Sequence, residues 1–289
     1  MLQLKKATRK AVKLKLNLSA PSGAGKTYSA LRMGYGLVGD WSKIAVIDTE
    51  NGSASLYSHL GEFNTIDLTP PFTPERYMDA IKVCIDGGME LIIIDSTSHE
   101  WTTLVAENDI LGQTAFKGNT WAAWSKSNPR HDAFVSMVLH SPVHFITCTR
   151  SKTETVQEGG RVKKLGMKDQ QRDGWEYELT VSLDIDRDTH LATPSKDRTG
   201  LFEGKTPFVI TEETGKRIAE WCNDGISEKA VALSEMEVVQ SLDDLKTVWS
   251  KYKSLQTDAE FVAIKDKRKA ELTPAPDDKV KNLKKEEVA

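Results

Sequence analysis

Apolar and polar positions alternate through Val12-Lys-Leu-Lys-Leu-Asn-Leu18, then give way to a run of small residues, Ala20-Pro-Ser-Gly-Ala-Gly25. A period of two predicts a strand over residues 12–19. Tyr28, Leu31, Met33 and Leu37 then recur at helical spacing, which predicts a helix over 26–38. Gly34, Gly36 and Gly39 blur where it ends. Two short apolar runs, Ile44-Ala-Val-Ile47 and Leu91-Ile-Ile-Ile94, each close on an aspartate and predict buried strands. Between them, residues 74–86 predict an amphipathic helix with Pro74 at its start and Gly87-Gly88 beyond its end. A helix from Arg130 to Leu139 and a strand from Val143 to Thr149 complete the alternation. Strands and helices alternating in this way, with nearly continuous apolar strands, predict an α/β fold: a mainly parallel sheet covered on both faces.

The pattern changes at Ser151. From there to Phe208 the chain is polar and rich in strand signals. Glu158-Gly-Gly-Arg161 marks a turn between residues 153–157 and 161–165. Glu176 to Asp184 alternates as a strand, Pro207 to Ile210 reads as a last one, and Ile218 to Cys222 belongs to a closing helix. Beyond Gly225, Ser241-Leu-Asp-Asp244 and Thr257-Asp-Ala-Glu260 resemble capping boxes. Leu242, Leu245, Val248, Trp249 and Tyr252 share one helical face, and Phe261, Ile264 and Leu272 another. Together they predict a helical hairpin at about 234–272. The expected organisation is an α/β core over 1–226, a helical hairpin within 227–273, and a charged, disordered tail over 274–289.

Composition narrows the field. A net charge of −3 over 289 residues argues against a chain coated in basic surface, so any polyanion must meet a local patch. Cys84, Cys148 and Cys222 are scattered and lack metal-site spacing, which predicts a reducing, cytoplasmic setting. No apolar run approaches membrane-spanning length, and no membrane partner is expected.

The strongest chemistry lies where the first strand meets the first helix. Ala20-Pro-Ser-Gly-Ala-Gly-Lys-Thr27 has the form of a phosphate-binding loop. In such a loop the backbone N–H groups cradle phosphates, the lysine reaches the β- and γ-phosphates, and the hydroxyl ligates Mg²⁺. Ser22, Gly23, Ala24, Gly25, Lys26, Thr27 and Tyr28 are therefore the candidate ATP contacts, with Thr27 also a Mg²⁺ ligand. Ala20 replaces the usual first glycine, which is harmless only where that position has negative φ. Asp95, at the carboxyl end of an apolar strand, is the second expected Mg²⁺ ligand. Glu50, just past the strand ending in Asp48, is the candidate base for the attacking water. Lys196 and Arg198 stand two apart on an extended segment and point the same way. They are candidates to stabilise a transferring phosphate as an arginine finger does, in trans if they lie far from their own loop.

The order of phosphate loop, Asp48-x-Glu50, Ile93-Ile-Asp-Ser96 and Lys196-x-Arg198 resembles the RecA/RadA-type ATPases and the DnaB-type ring helicases. More closely, Pro21 to Ala30, Val46 to Ser53, Gln171-Arg-Asp-Gly174 and Ser195 to Phe202 resemble a phage and prophage family of single-domain AAA-type ATPases. Some of its relatives are described as RecA-like single-strand annealing or recombination proteins. The resemblance covers about residues 12–223. It implies a RecA-like P-loop NTPase core with a β-rich extension, a base at Glu50, Mg²⁺ held through Asp95, and Lys/Arg groups acting across a subunit interface. Arg150, at the end of the fourth strand, occupies the position of the family's polar γ-phosphate sensor.

In RecA-type proteins the loops after the third and fourth strands hold single strands. By resemblance these are His99 to Arg130 and Ser151 to Arg172. The first interleaves Trp101, Phe116, Trp121 and Trp124 with Lys117, Lys126 and Arg130, a pattern suited to stacked bases. The second carries Arg161, Lys163, Lys164 and Lys168, suited to phosphates. The competing readings are a core-facing Trp121/Trp124 stripe and a solvated basic edge that blocks sheet pairing. The function expected is Mg²⁺-dependent ATP hydrolysis in phage DNA recombination or replication on single-stranded DNA, by a homo-oligomeric ring or filament in the bacterial host cytoplasm. A recombination or replication protein is a further expected partner. The alternatives are a nucleotide-gated assembly or loading factor that docks a protein through its C-terminal helices, and a small-molecule kinase. The kinase reading is disfavoured by the Asp-x-Glu and Lys-x-Arg pairs.

Overall fold

The structure, a computed structural model, describes residues 11–158 and 161–273, with the side chains of 153–166 outside that description. The expected 274–289 tail and the Gly159-Gly160 turn lie outside the described residues.

In chain order the α/β part runs β1 (Lys15–Ala20), α1 (Lys26–Val38), β2 (Ile44–Asp48), β3 (Asn64–Asp67), α2 (Pro74–Asp86), β4 (Leu91–Asp95), α3 (Ser98–Ala115) and α4 (Thr120–His140). It continues through β5 (His144–Glu158), β6 (Arg161–Asp169), α5 (Trp175–Glu178), β7 (Val181–Ile185), β8 (Ala192–Asp197) and α6 (Glu212–Asn223). The strands form an eight-stranded sheet in the order β3-β2-β4-β5-β1-β7-β8, with β6 paired to β5. Pairings from β3 to β7 are parallel, and only β6 and β8 run antiparallel to their neighbours.

Both sheet faces are covered, which explains why β2 and β4 read as unbroken apolar runs. Ile44, Val46, Leu91 and Ile93 pack in one core with Leu31 and Met33 of α1. Ala45, Ile47, Ile92 and Ile94 pack in the other with Tyr77 and Ile81 of α2 and Phe134 and Val138 of α4. Helix α1 continues through Gly34 and Gly36 and is capped by the left-handed Gly39. Gly36 is there for contact, not for flexibility. A Cβ on it would overlap the Glu212 carbonyl, and a Cβ on Gly215 would overlap the Met33 carbonyl. Helices α1 and α6 thus meet backbone to backbone.

Four expectations about the α/β part need correction. The stretch His99 to Arg130 is not a loop but most of two helices, with Asn119 capping α4 by accepting from the Ala122 N–H. Pro129 lies inside α4, ten residues into a helix expected to begin only at Arg130. Its ring deprives the Ser125 carbonyl of a partner, which solvent can replace because Ser125 is exposed. Glu176 to Asp184 is not one strand. The left-handed Gly174 starts the short α5, which buries Trp175, and the sheet resumes at β7. Pro207 to Ile210 contributes only a bridge between Phe208 and Ala192.

The chain divides into two compact units, one spanning Val12–Cys222 and another holding the segment from Asn223 onward. The second contains α7 (Glu228–Glu237), α8 (Leu242–Lys251) and α9 (Ala259–Leu272), so three helices stand where a hairpin was expected. They close on Ala232, Met236, Leu245 and Phe261. Helix α7 escaped notice because Ala230, Val231, Ala232 and Leu233 follow one another and mark no single face. The caps of α8 and α9 are Ser241 and Asp258, the latter replacing the expected Thr257.

Candidate nucleotide site and aromatic groove

Parallel register sets out the site before any side chain is considered. Asp48, Asp95 and Cys148 stand level in β2, β4 and β5, and Ala20 stands level with Arg150. The carboxyl ends of four strands therefore share one edge, where crevices of open α/β sheets hold ligands. Ala20 is the last residue of β1 and its backbone is extended, so alanine costs nothing there. Gly23 and Gly25 do adopt left-handed φ values of 82° and 89°, which a side chain would oppose. Gly25 caps α1, so the positive end of that helix faces the loop.

Lys26 is 8% exposed, and its Nζ donates to the carbonyls of Ala20 (2.9 Å) and Pro21 (3.0 Å). The Thr27 hydroxyl donates to Asp95 Oδ2. Burial pushes the Asp95 carboxyl up to about 6, against the pull of the Thr27 hydrogen bond and the Lys26 charge. Asp48 shapes the neighbouring turn by accepting from the N–H groups of Glu50 (2.6 Å) and Ala54 (2.7 Å). The turn presents Glu50, which accepts from Ser96 Oγ at 3.2 Å and is ion-paired to Arg150. Thr49 ties the edge together: its Oγ1 accepts from the Ser96 N–H at 2.8 Å and lies 2.8 Å from Nδ1 of His99. Burial holds the His99 pKa below its ordinary value. Tyr28 is 37% exposed and packs against Tyr57, with centroids 5.9 Å apart.

A hydroxyl and a carboxylate in contact form the hard, oxygen-only donor pair that suits Mg²⁺, which binds through one or two protein oxygens plus phosphates. Among the described residues no group of three His, Cys, Asp or Glu gathers as an all-protein metal cage. A family model described as AAA domain matches residues 12–219. The chain belongs to that family. Membership supports nucleotide binding and ATPase activity, typically with Mg²⁺. No curated protein gives a significant match. Among the described residues, no helix of this AAA domain protein is long and apolar enough to cross a membrane.

Lys26, Thr27, Glu50, Asp95 and Arg150 thus come together. Lys196 and Arg198 do not join them. Lys196 pairs in register with Ser182, and the Arg198 N–H donates to Thr180, toward the amino-terminal edge of the sheet. Their side chains do point the same way, since both donate to the Tyr177 carbonyl, Arg198 at 3.0 Å.

Beside the phosphate-loop edge of the AAA domain, α3, α4 and the base of the β5–β6 hairpin line a groove of about 1080 Å³. Trp101, Trp121 and Trp124 line it with Lys152, Lys168, Arg172, Asp169 and Asp173. Trp124 stacks on Trp101 with centroids 5.4 Å apart, and Trp121 is 86% exposed, so neither is a core stripe. Lys126 and Arg130 do not line the groove. Arg130 is held by Glu75 (2.7 and 2.8 Å) and Glu107 (2.7 Å), and its hydrogen bonds hold the Glu75 carboxyl down to about 2. The side chains of Arg161, Lys163 and Lys164 lie outside the described residues. Sequence reasoning gave no role to Thr49, though it lies within the stretch from Val46 to Ser53, and missed Lys152, Asp169 and His190, which carry no motif. Asp169 accepts from Ser19 Oγ, next to the phosphate loop, and burial pushes its carboxyl up to about 6.

Proposed function

We propose that this protein hydrolyses ATP with Mg²⁺ and couples turnover to single-stranded DNA in the aromatic groove. The setting proposed is a RecA-like homo-oligomer, ring or filament, acting in phage DNA recombination or replication in the host cytoplasm. The observation that carries the reading is the meeting of Lys26, Thr27, Asp95, Glu50 and Arg150 at one sheet edge. When bound, Mg²⁺ neutralises charge on the β- and γ-phosphates, with Thr27 and Asp95 as its protein ligands. Glu50 accepts a proton from the water that attacks the γ-phosphorus, and the bond to the bridging oxygen breaks, leaving ADP and phosphate. Lys26 offsets negative charge on the transferring group. Arg150 is shared: it pairs with Glu50 and exchanges that partner for γ-phosphate oxygens. Lys196 and Arg198 act on the site of a neighbouring subunit, since they lie toward the opposite edge of their own sheet.

The groove supports the DNA part of the reading. The exposed Trp121 and the half-buried stack of Trp101 and Trp124 would give platforms for bases without sequence preference, with Lys152, Lys168 and Arg172 beside them to meet backbone phosphates. The test is ATP hydrolysis with and without single-stranded DNA at low and moderate salt. Stimulation that fades with salt is the expected result. A rate indifferent to DNA favours the second reading, a nucleotide-gated loading factor for a protein partner. That reading draws on the C-terminal helices, which close on a core of their own.

A further inference from the structure

The phosphate loop touches one side chain that its motif does not contain. His190 closes the turn between β7 and β8, and its Nδ1 lies 3.1 Å from the Ala24 carbonyl oxygen. A carbonyl oxygen only accepts, so Nδ1 carries the proton and donates. The ring also lies beside Gly25, where a Cβ would stand 3.9 Å from Nδ1.

The turn is built to deliver this contact. His190 has φ 57°, a left-handed conformation uncommon for a residue with a Cβ. Asp186 stabilises it by accepting from the N–H groups of Asp188 (3.1 Å) and Thr189 (2.8 Å) and from the Thr189 hydroxyl (2.8 Å). The His190 N–H in turn donates to the Asp186 carbonyl at 2.9 Å. Strand β7 pairs with β1, Asp184 level with Ser19, so the turn leaves the sheet beside the strand that feeds the loop.

The peptide group explains what such a contact does. In a trans peptide the C=O and the following N–H point in opposite directions. Holding the Ala24 carbonyl therefore fixes the direction of the Gly25 N–H, which then points away from His190. We infer that His190 is a positioning residue of the nucleotide site: its imidazole anchors the outside of the phosphate loop and aims the Gly25 N–H at nucleotide phosphate. The β7–β8 turn thereby sets the affinity of the loop.

This inference rests on the nucleotide reading of the site, and one experiment separates the two. Binding of a fluorescent ATP analogue with Mg²⁺ is measured on the full chain, with thermal melting to confirm folding. Kinetics in parallel separate KM from kcat. His190→Gly keeps the left-handed turn and removes the donor. His190→Asn keeps both, since asparagine tolerates that backbone and its amide N–H replaces Nδ1–H. The expected result is about five- to tenfold weaker binding for His190→Gly, with KM raised and kcat within about twofold, and near-normal binding for His190→Asn. Wild-type affinity in His190→Gly overturns the inference, as does an Asn variant no better than Gly. A wild-type chain that binds no nucleotide overturns the reading of the site as well.

Discussion

The phosphate loop draws its residues from consecutive positions, Ala20 to Thr27, whereas the aromatic groove assembles its own from two stretches, 101–128 and 152–173. The loop works through backbone and through buried charge: left-handed glycines, a lysine with carbonyl partners, a carboxylate beneath a hydroxyl. The groove offers one exposed ring, Trp121, a half-buried stacked pair, Trp101 and Trp124, and charges that nearly balance, three cations with Asp169 and Asp173. Of those cations, Lys168 is paired to Asp173 at 3.2 Å and Arg172 to Asp132 at 2.7 Å. The lesson is one of concentration. In the loop the work rests on a few groups, while in the groove it is spread, so single changes should differ in effect by orders of magnitude.

The largest expected effect comes from Lys26→Ala, which should lower ATP turnover about a thousandfold or more by removing the charge that faces the phosphates. Steady-state hydrolysis within a few-fold of wild type would break the assignment of the loop. Next comes Glu50→Gln, with turnover lower by about a hundredfold and nucleotide binding kept. If instead binding is lost, Glu50 serves to hold the edge through Arg150 and not to take the proton. In the groove, Trp124→Ala should weaken single-stranded DNA by only about tenfold and leave basal hydrolysis unchanged. Fluorescence anisotropy at several salt concentrations checks this. The slope of log affinity against log salt should be about 2 where the three described cations of the groove, Lys152, Lys168 and Arg172, supply the phosphate contacts.

The smallest effect concerns pH. The Asp169 carboxyl is raised to about 6, burial being the main cause. As pH falls through that value the group gains a proton and the groove loses a negative charge. DNA affinity should therefore rise about threefold between pH 7.5 and 5.5. Asp169→Asn should bind at the tighter level at both values, and a variant that keeps the wild-type pH profile would sink this account. Asp95, raised for the same reason, has the opposite consequence, because its proton competes with Mg²⁺.

The same contrast governs what could be read from the chain. The loop, the two strands ending in Asp48 and Asp95, and Glu50 beside them were legible because each is a local pattern whose geometry follows from the next few residues. Arg150 was legible only through resemblance, and its pairing with Glu50 depends on strands that lie side by side only in the folded sheet. The groove was half legible. Its tryptophans stood out, and of the expected cations Lys168 lines it while Lys126 and Arg130 do not; Lys152 and Arg172 join it from the β5–β6 hairpin and the segment just after it. Helix α4 was hidden at its start by Pro129, and α7 by apolar residues placed side by side. His190 could not be found at all, since its partner lies 166 positions away.

The backbone contact between Gly36 and Gly215 bears on how far the chain can be shortened. Helix α6 acts as a fastener on α1, the helix that carries the phosphate loop at its start, and Arg32 adds a 3.6 Å ion pair to Glu212. A chain cut after Ile210 would leave a bare groove along α1 where α6 now lies. The loop motif would be whole in sequence, yet its helix would be unlatched.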